Sequence, residues 1–102
     1  MDKIALLTQI LEQNPTDAFA RYGLAMEYAA QGNSAAALAE FATLTQHNPD
    51  YVPAYQMSAQ TLLKLGRIAE ARPRLEAGLA AAARTNNAHA ASEMQAMLDD
   101  LG

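Results

Sequence analysis

Apolar residues recur along this chain at helical intervals, as in Leu7, Ile10 and Leu11, then Leu24 and Tyr28, then Leu38, Phe41 and Leu44, then Tyr55 and Leu62 with Ser58 at the place between them. That spacing keeps one stripe of a helix apolar, and no segment alternates with the period of two that a half-buried strand requires. Polar residues and glycines divide the pattern into six helices, at residues 2–13, 17–31, 34–47, 51–65, 68–83 and 87–101. Asp2, Thr16, Ser34, Asp50 and Asn86 are candidates to cap helix starts, and Gly32 and Gly66 can supply the left-handed residue that ends a helix. Pro53 is tolerable in a first turn, whereas Pro73 lies inside its helix and predicts a late start or a kink near Arg72. The connections are only a few residues long, so consecutive helices must pair as antiparallel hairpins.

The pattern repeats. A shift of 34 residues superposes Asn14-Pro15 on Asn48-Pro49, Ala25 on Ala59, Tyr28 on Leu62, Gly32 on Gly66 and Ala37 on Ala71. Leu7, Phe41 and Leu75 share one position, each a large apolar residue in mid-helix, as a stacked core demands. A small side chain at Ala25, Ala37, Ala59 and Ala71 lets paired helices approach closely, and the large residue fills the space between them.

Those residues resemble the tetratricopeptide repeat, a two-helix unit defined by a leucine, a small residue, an aromatic, a glycine, an alanine, an aromatic and a proline at fixed offsets. Residues 18–51 match through Leu24, Ala25, Tyr28, Gly32, Ala37, Phe41 and Pro49, with Leu44 where alanine is commoner. Residues 52–85 form a degenerate copy in which Ser58 replaces the leucine and Ala83 the proline. Residues 1–15 then look like the second helix of an incomplete leading repeat, and 86–102 like a closing helix. The resemblance, which extends to short stand-alone bacterial proteins of the family, implies an all-α fold of hairpins stacked in a short right-handed superhelix. It also implies a module that binds another protein or peptide. The Met1 start and the closing helix suggest a complete unit.

Composition narrows the chemistry. The chain has 102 residues, enough for one domain, and is 51% hydrophobic, much of it alanine. It contains no cysteine, which removes disulfides and thiol chemistry and, with no basic leader or long apolar run, points to a cytoplasmic setting rather than a membrane. His47 and His89 stand alone and read as surface or capping residues, His47 suited to a helix C-terminus. Asp99 and Asp100 sit where a helix dipole disfavours them and are expected to fray that end. No catalytic constellation, cofactor loop or metal spacing is present, so a non-enzymatic role without cofactor is expected. Net charge is −4, which makes nucleic acid an unfavourable partner. Lys64, Arg67, Arg72, Arg74 and Arg84 nevertheless cluster in sequence, either as a solvated face with local ion pairs or as an anion-binding patch.

What remains is a surface. The resemblance implies that the first helix of each pair lines a concave face, with Phe19, Tyr22, Met26, Ala30, Pro53, Gln56, Met57, Gln60, Leu63 and Lys64 outward. Asn87, Ala90, Ala91 and Met94 of the last helix would join them. Methionine and tyrosine suit adaptable recognition of an apolar helix or peptide. The same stripe could instead be core, or the interface of a homodimer. Family members that hold a C-terminal carboxylate do so with Lys, Asn and Arg. The matching positions here are Tyr22, Met26, Met57, Asn87 and Ala91, none of them charged, which disfavours that use.

Overall fold

The computed structural model describes residues 2–102 and contains six helices among them: α1 Lys3–Gln13, α2 Ala18–Ala30, α3 Ser34–His47, α4 Val52–Lys64, α5 Ile68–Arg84 and α6 Ala88–Asp100. No strand occurs among the described residues, and every helix end lies within one residue of where apolar spacing puts it. The chain divides into two compact units, the first ending at Asn48 and the second running from Pro49 to Gly102.

In the first unit α2 packs against both α1 and α3. Leu11, Ala20 and Leu24 are buried together, with Ile4, Leu7 and Tyr28 partly buried against them. In the α2–α3 hairpin Ala25, Ala37 and Phe41 are completely buried. The two alanines let the helices approach, and Phe41 fills the space; burying a side chain of that kind contributes about 1.5–3 kcal/mol. The Tyr22 ring tilts against Phe41 with centroids 6.2 Å apart.

In the second unit α5 packs against α4 and α6. Val52, Tyr55, Ala59, Leu75, Ala81, Ala82, Ala90 and Met94 form one buried cluster. Gly78 makes this possible, because a Cβ there would lie 2.5 Å from Met94 Sδ and 2.8 Å from Tyr55 Cβ. The missing side chain of α5 is therefore what admits the large residues of α4 and α6.

Two kinds of turn join the helices. At Gly32, Gly66 and Asn86 the backbone is left-handed, with φ of 79°, 74° and 56°. In each, the next amide reaches back five residues, from Asn33 to Tyr28 O (2.9 Å), Arg67 to Leu62 O (2.9 Å) and Asn87 to Ala82 O (2.8 Å). This is a helix stop that satisfies orphan carbonyls. The other kind is the Asn-Pro turn, where Asn14 and Asn48 adopt nearly the same conformation, φ −139° and −135°. The carbonyl that follows is held from six residues ahead: Arg21 Nη2 donates to Pro15 O at 2.9 Å and Tyr55 Oη to Pro49 O at 2.7 Å. The 34-residue echo thus extends to a hydrogen bond made by different side chains.

Several local expectations are corrected. Asp2 caps α1, accepting from the Ala5 amide at 2.8 Å, but the other side-chain caps are Asp17, Asn33 and Asn87 rather than Thr16, Ser34 and Asn86. Their side-chain oxygens stand three residues before a free helical amide, as capping requires. Asn86 is instead the left-handed stop of α5, and Asp50 accepts from Arg84 Nε at 2.7 Å. The α4 start at Tyr51 has no side-chain cap, and Pro53 sits in its first turn. Pro73 does not delay α5, which begins at Ile68 and carries the proline inside. The Gly66 turn fixes that start, with the Ala71 amide already bonded to Arg67 O at 3.1 Å. At its other end α6 runs through Asp99 and Asp100: the Leu101 amide bonds to Leu98 O at 3.0 Å, and Gln95 Nε2 donates to the Asp99 carboxylate at 3.0 Å.

Candidate partner-binding surface

Each unit contributes its own candidate surface. In the first, α1 and α2 border an apolar groove of about 510 Å³, lined by Lys3, Leu6, Leu7, Phe19, Tyr22, Gly23, Met26 and Glu27. Its size lies within the range of ligand-holding clefts. Gly23 forms part of the floor, where a Cβ would meet the Leu7 methyls at 3.4–3.5 Å. Leu6 is 51% exposed, Phe19 81% and the neighbouring Ile10 39%. Lys3 Nζ and Glu27 Oε2 stand 3.7 Å apart at the mouth, linking α1 to α2 by an exposed ion pair.

Phe19, Tyr22 and Met26 come together in this groove, while Ala30, on the last turn of α2, is exposed outside its lining. The α1 residues Leu6 and Leu7 were missed by the reading of outward positions. Their signal is an excess of apolar residues on α1: Ile4, Leu7 and Leu11 face α2, and Leu6 and Ile10 remain as a second stripe that α2 does not cover. At the position of Leu6 the next repeat carries Glu40, whose carboxylate pairs with Arg21 at 2.6 Å.

In the second unit Gln56, Met57 and Leu63 are half-buried, and Pro53, Gln60 and Lys64 are exposed, all along one stripe of α4. Pro53 and Asn87 line a more polar cleft of about 480 Å³ with Asp50, Tyr51, Val52, Thr85 and Asn86, where burial pushes the Tyr51 phenol pKa up. Asn87 spends its side-chain oxygen on the Ala90 amide at 3.1 Å. Met94, placed on the binding surface by the sequence pattern, is not there. It is fully buried in the core against Gly78, and Ala90 is buried beside it; Ala91 is half-buried.

Three of the clustered arginines, Arg67, Arg74 and Arg84, are engaged within the chain. Arg67 donates twice to Glu70 at 2.6 Å, which raises the arginine pKa and lowers that of the carboxylate. Arg84 holds Asp50 and the Pro49 carbonyl at 2.7 and 3.1 Å. Arg74 lies 4.9 Å over the Tyr55 ring, its pKa lowered by burial. His47 closes α3, and His89, at the opposite kind of terminus, stands exposed 3.3 Å from Glu93. No group of His, Cys, Asp or Glu among the described residues could hold a metal ion, and no helix among them is long and apolar enough to cross a membrane.

A tetratricopeptide repeat family model matches residues 4–57 and 28–96. Two solved structures of a tetratricopeptide repeat domain protein from Salinibacter ruber are similar. The solution NMR structure is 31% identical, with TM-score 0.80 over 86% of this chain and 89% of that one. The crystal structure is 30% identical, with TM-score 0.77 over 83% and 94%. No curated protein matches significantly.

Proposed function

Because the chain belongs to the tetratricopeptide repeat family, whose fold serves protein–protein interaction, we propose that it is a non-catalytic binding module taking an apolar segment of another protein into the α1–α2 groove. The observation that carries this is the groove itself: Leu6, Phe19, Tyr22 and Met26 present apolar surface around an open cleft. Contiguous exposed apolar surface on a small protein marks an interaction site more often than chance. In the same reading residues 18–51 and 52–85 are the two repeats, supported by the matching Gly32 and Gly66 turns and the two clasped proline carbonyls. The α4 stripe with Gln56 and Met57 is a second contact surface of the module. A homodimer built on the same groove is the competing reading, favoured by the exposure of Phe19.

The test compares proteins captured by the wild type with those captured by a Leu6→Asp/Phe19→Asp variant, after circular dichroism has established that the variant is folded. Loss of a defined subset of proteins is expected. Identical capture profiles would overturn the reading, and a wild-type dimer that the substitutions dissociate would replace it with the homodimer.

A further inference from the structure

One slot of the hairpin is built twice from different chemistry. Arg21 and Tyr55 stand 34 residues apart, each the fourth residue of its helix, and Glu40 and Arg74 stand 34 apart, each the seventh of theirs. In the first hairpin Arg21 Nη1 meets the Glu40 carboxylate at 2.6 Å, and Nη2 donates to Pro15 O at 2.9 Å. In the second the Arg74 guanidinium lies 4.9 Å over the Tyr55 ring, and Tyr55 Oη donates to Pro49 O at 2.7 Å. Each slot thus ties a helix to its partner and to the Asn-Pro turn, but the charge that the partner helix brings is negative in one and positive in the other. Both slots are sheltered, with Tyr55 buried and Arg21, Glu40 and Arg74 half-buried.

Much of the remaining frame is common to both hairpins. Ala25 matches Ala59, Gly32 matches Gly66 and Ala37 matches Ala71, so the close crossing itself would accept α2 on α5 or α4 on α3. The slot penalises both exchanges. Laying α2 on α5 would set Arg21 beside Arg74, two cations in a sheltered site. Laying α4 on α3 would set the Glu40 carboxylate against the Tyr55 ring, whose face attracts cations and repels anions. Misassembly of like units is a characteristic failure of repeat proteins. We propose that this slot selects the partner of each helix: Arg21–Glu40 and Tyr55–Arg74 are matched pairs that close each hairpin on itself and reject the counterpart 34 residues away.

Transplanting one pair separates stability from partner choice. Glu40→Arg recreates inside the first hairpin the contact of an exchanged one, and should lower the folded-to-unfolded ratio in urea titrations by at least about fivefold. The uncharged Glu40→Gln should fall between that variant and the wild type. Arg21→Tyr/Glu40→Arg installs the second hairpin's pair in the first and should regain most of the loss. With both slots now alike, the exchanges are no longer penalised. Refolding is then followed after a brief unfolding pulse, which leaves the prolines in their native isomers. The double variant should show a slow phase absent from the wild type, as mispaired hairpins come apart, even though its stability is close to that of the wild type. If Glu40→Arg does not fold, a folded double variant supports the matched slot by itself. A double variant no more stable than Glu40→Arg, or a Glu40→Arg as stable as the wild type, would overturn the matched slot. A stable double variant that refolds with the phases of the wild type would overturn partner choice and leave the two pairs as ordinary contacts.

Discussion

The two units carry the same hairpin and close it in opposite ways. Phe41 and Leu75 occupy one register position and are both completely buried. Around Phe41 the flanking helix precedes the hairpin, and α1 leaves apolar side chains standing beside a groove. Around Leu75 the flanking helix follows, and α6 drives Met94 into the space that Gly78 leaves open. The first unit thus has surplus apolar surface outside its core, and the second consumes its surplus inside. The difference teaches that a repeat position specifies burial only when a neighbour exists to cover it: Leu7 has the same register as Phe41 and remains half-exposed.

The largest expected effect tests whether the two cores are equivalent. Phe41→Ala removes a fully buried ring and should destabilise by about 3–5 kcal/mol, and Leu75→Ala by about 2–5 kcal/mol, in urea unfolding. Hydrogen exchange makes this a comparison. If Phe41→Ala strips protection from α2 and α3 while α5 and α6 keep theirs, each unit holds itself together. Uniform loss would show that the division at Asn48 has no energetic counterpart.

A second difference lies within the paired helices: α3 has Ala39 where α5 has Pro73. The proline has no amide to offer the Ala69 carbonyl and crowds it, a cost of about 3 kcal/mol in a helix interior, partly offset by the restriction proline imposes on the unfolded chain. Pro73→Ala should therefore stabilise by about 1–2 kcal/mol after that offset, and Ala39→Pro should destabilise by more. A neutral Pro73→Ala would mean that α5 has already relaxed around the ring.

Helix positions and the 34-residue frame were legible because they rest on local spacing and on residues with one dominant physical use, such as Gly32 and Gly66. The α5–α6 turn was harder to read. Where the first repeat has Asn48-Pro49 the second has Ala82-Ala83, so nothing stops α5 until Asn86, which becomes a left-handed stop instead of a cap. Met94 was misplaced because its burial depends on the absence of a side chain at Gly78, a contact between helices that no periodicity reports. Leu6 and Leu7 were overlooked for the converse reason: α2 covers only part of α1, and periodicity does not report how far that cover reaches.

Glycines sharpen that contrast at a smaller scale. Gly23→Ala places a methyl in ordinary contact with Leu7, at 3.4–3.5 Å, and should stabilise α2 by up to about 1 kcal/mol through helix propensity. Gly78→Ala gains the same propensity but drives a methyl to 2.8 Å from Tyr55 Cβ, and overpacking of about 1–3 kcal/mol should outweigh it. Opposite signs in thermal unfolding are expected. Equal signs would break the claim that only the second core is closed.

The smallest effects concern ion pairs. Arg21–Glu40 in the first unit is largely buried, with side-chain exposures of 15% and 20%, whereas Arg67–Glu70 in the second is exposed at 46% and 55%. Double-mutant cycles should give the first pair about 1 kcal/mol or somewhat more and the second a smaller coupling, since solvent screens it. The exposed pair still leaves a titration signature. The Arg67 hydrogen bonds hold the Glu70 carboxyl below its ordinary pKa. A depressed folded-state pKa means that its stabilisation is present above the unfolded value and is lost as pH falls through the folded one. Glu70 should therefore titrate at lower pH in the wild type than in Arg67→Gln, as followed by carboxyl-carbon NMR, and Glu70→Gln should slightly flatten the acid limb of stability. Coincident midpoints in the two proteins would show that the Arg67–Glu70 contact does not persist in solution, leaving Arg67 available to a partner.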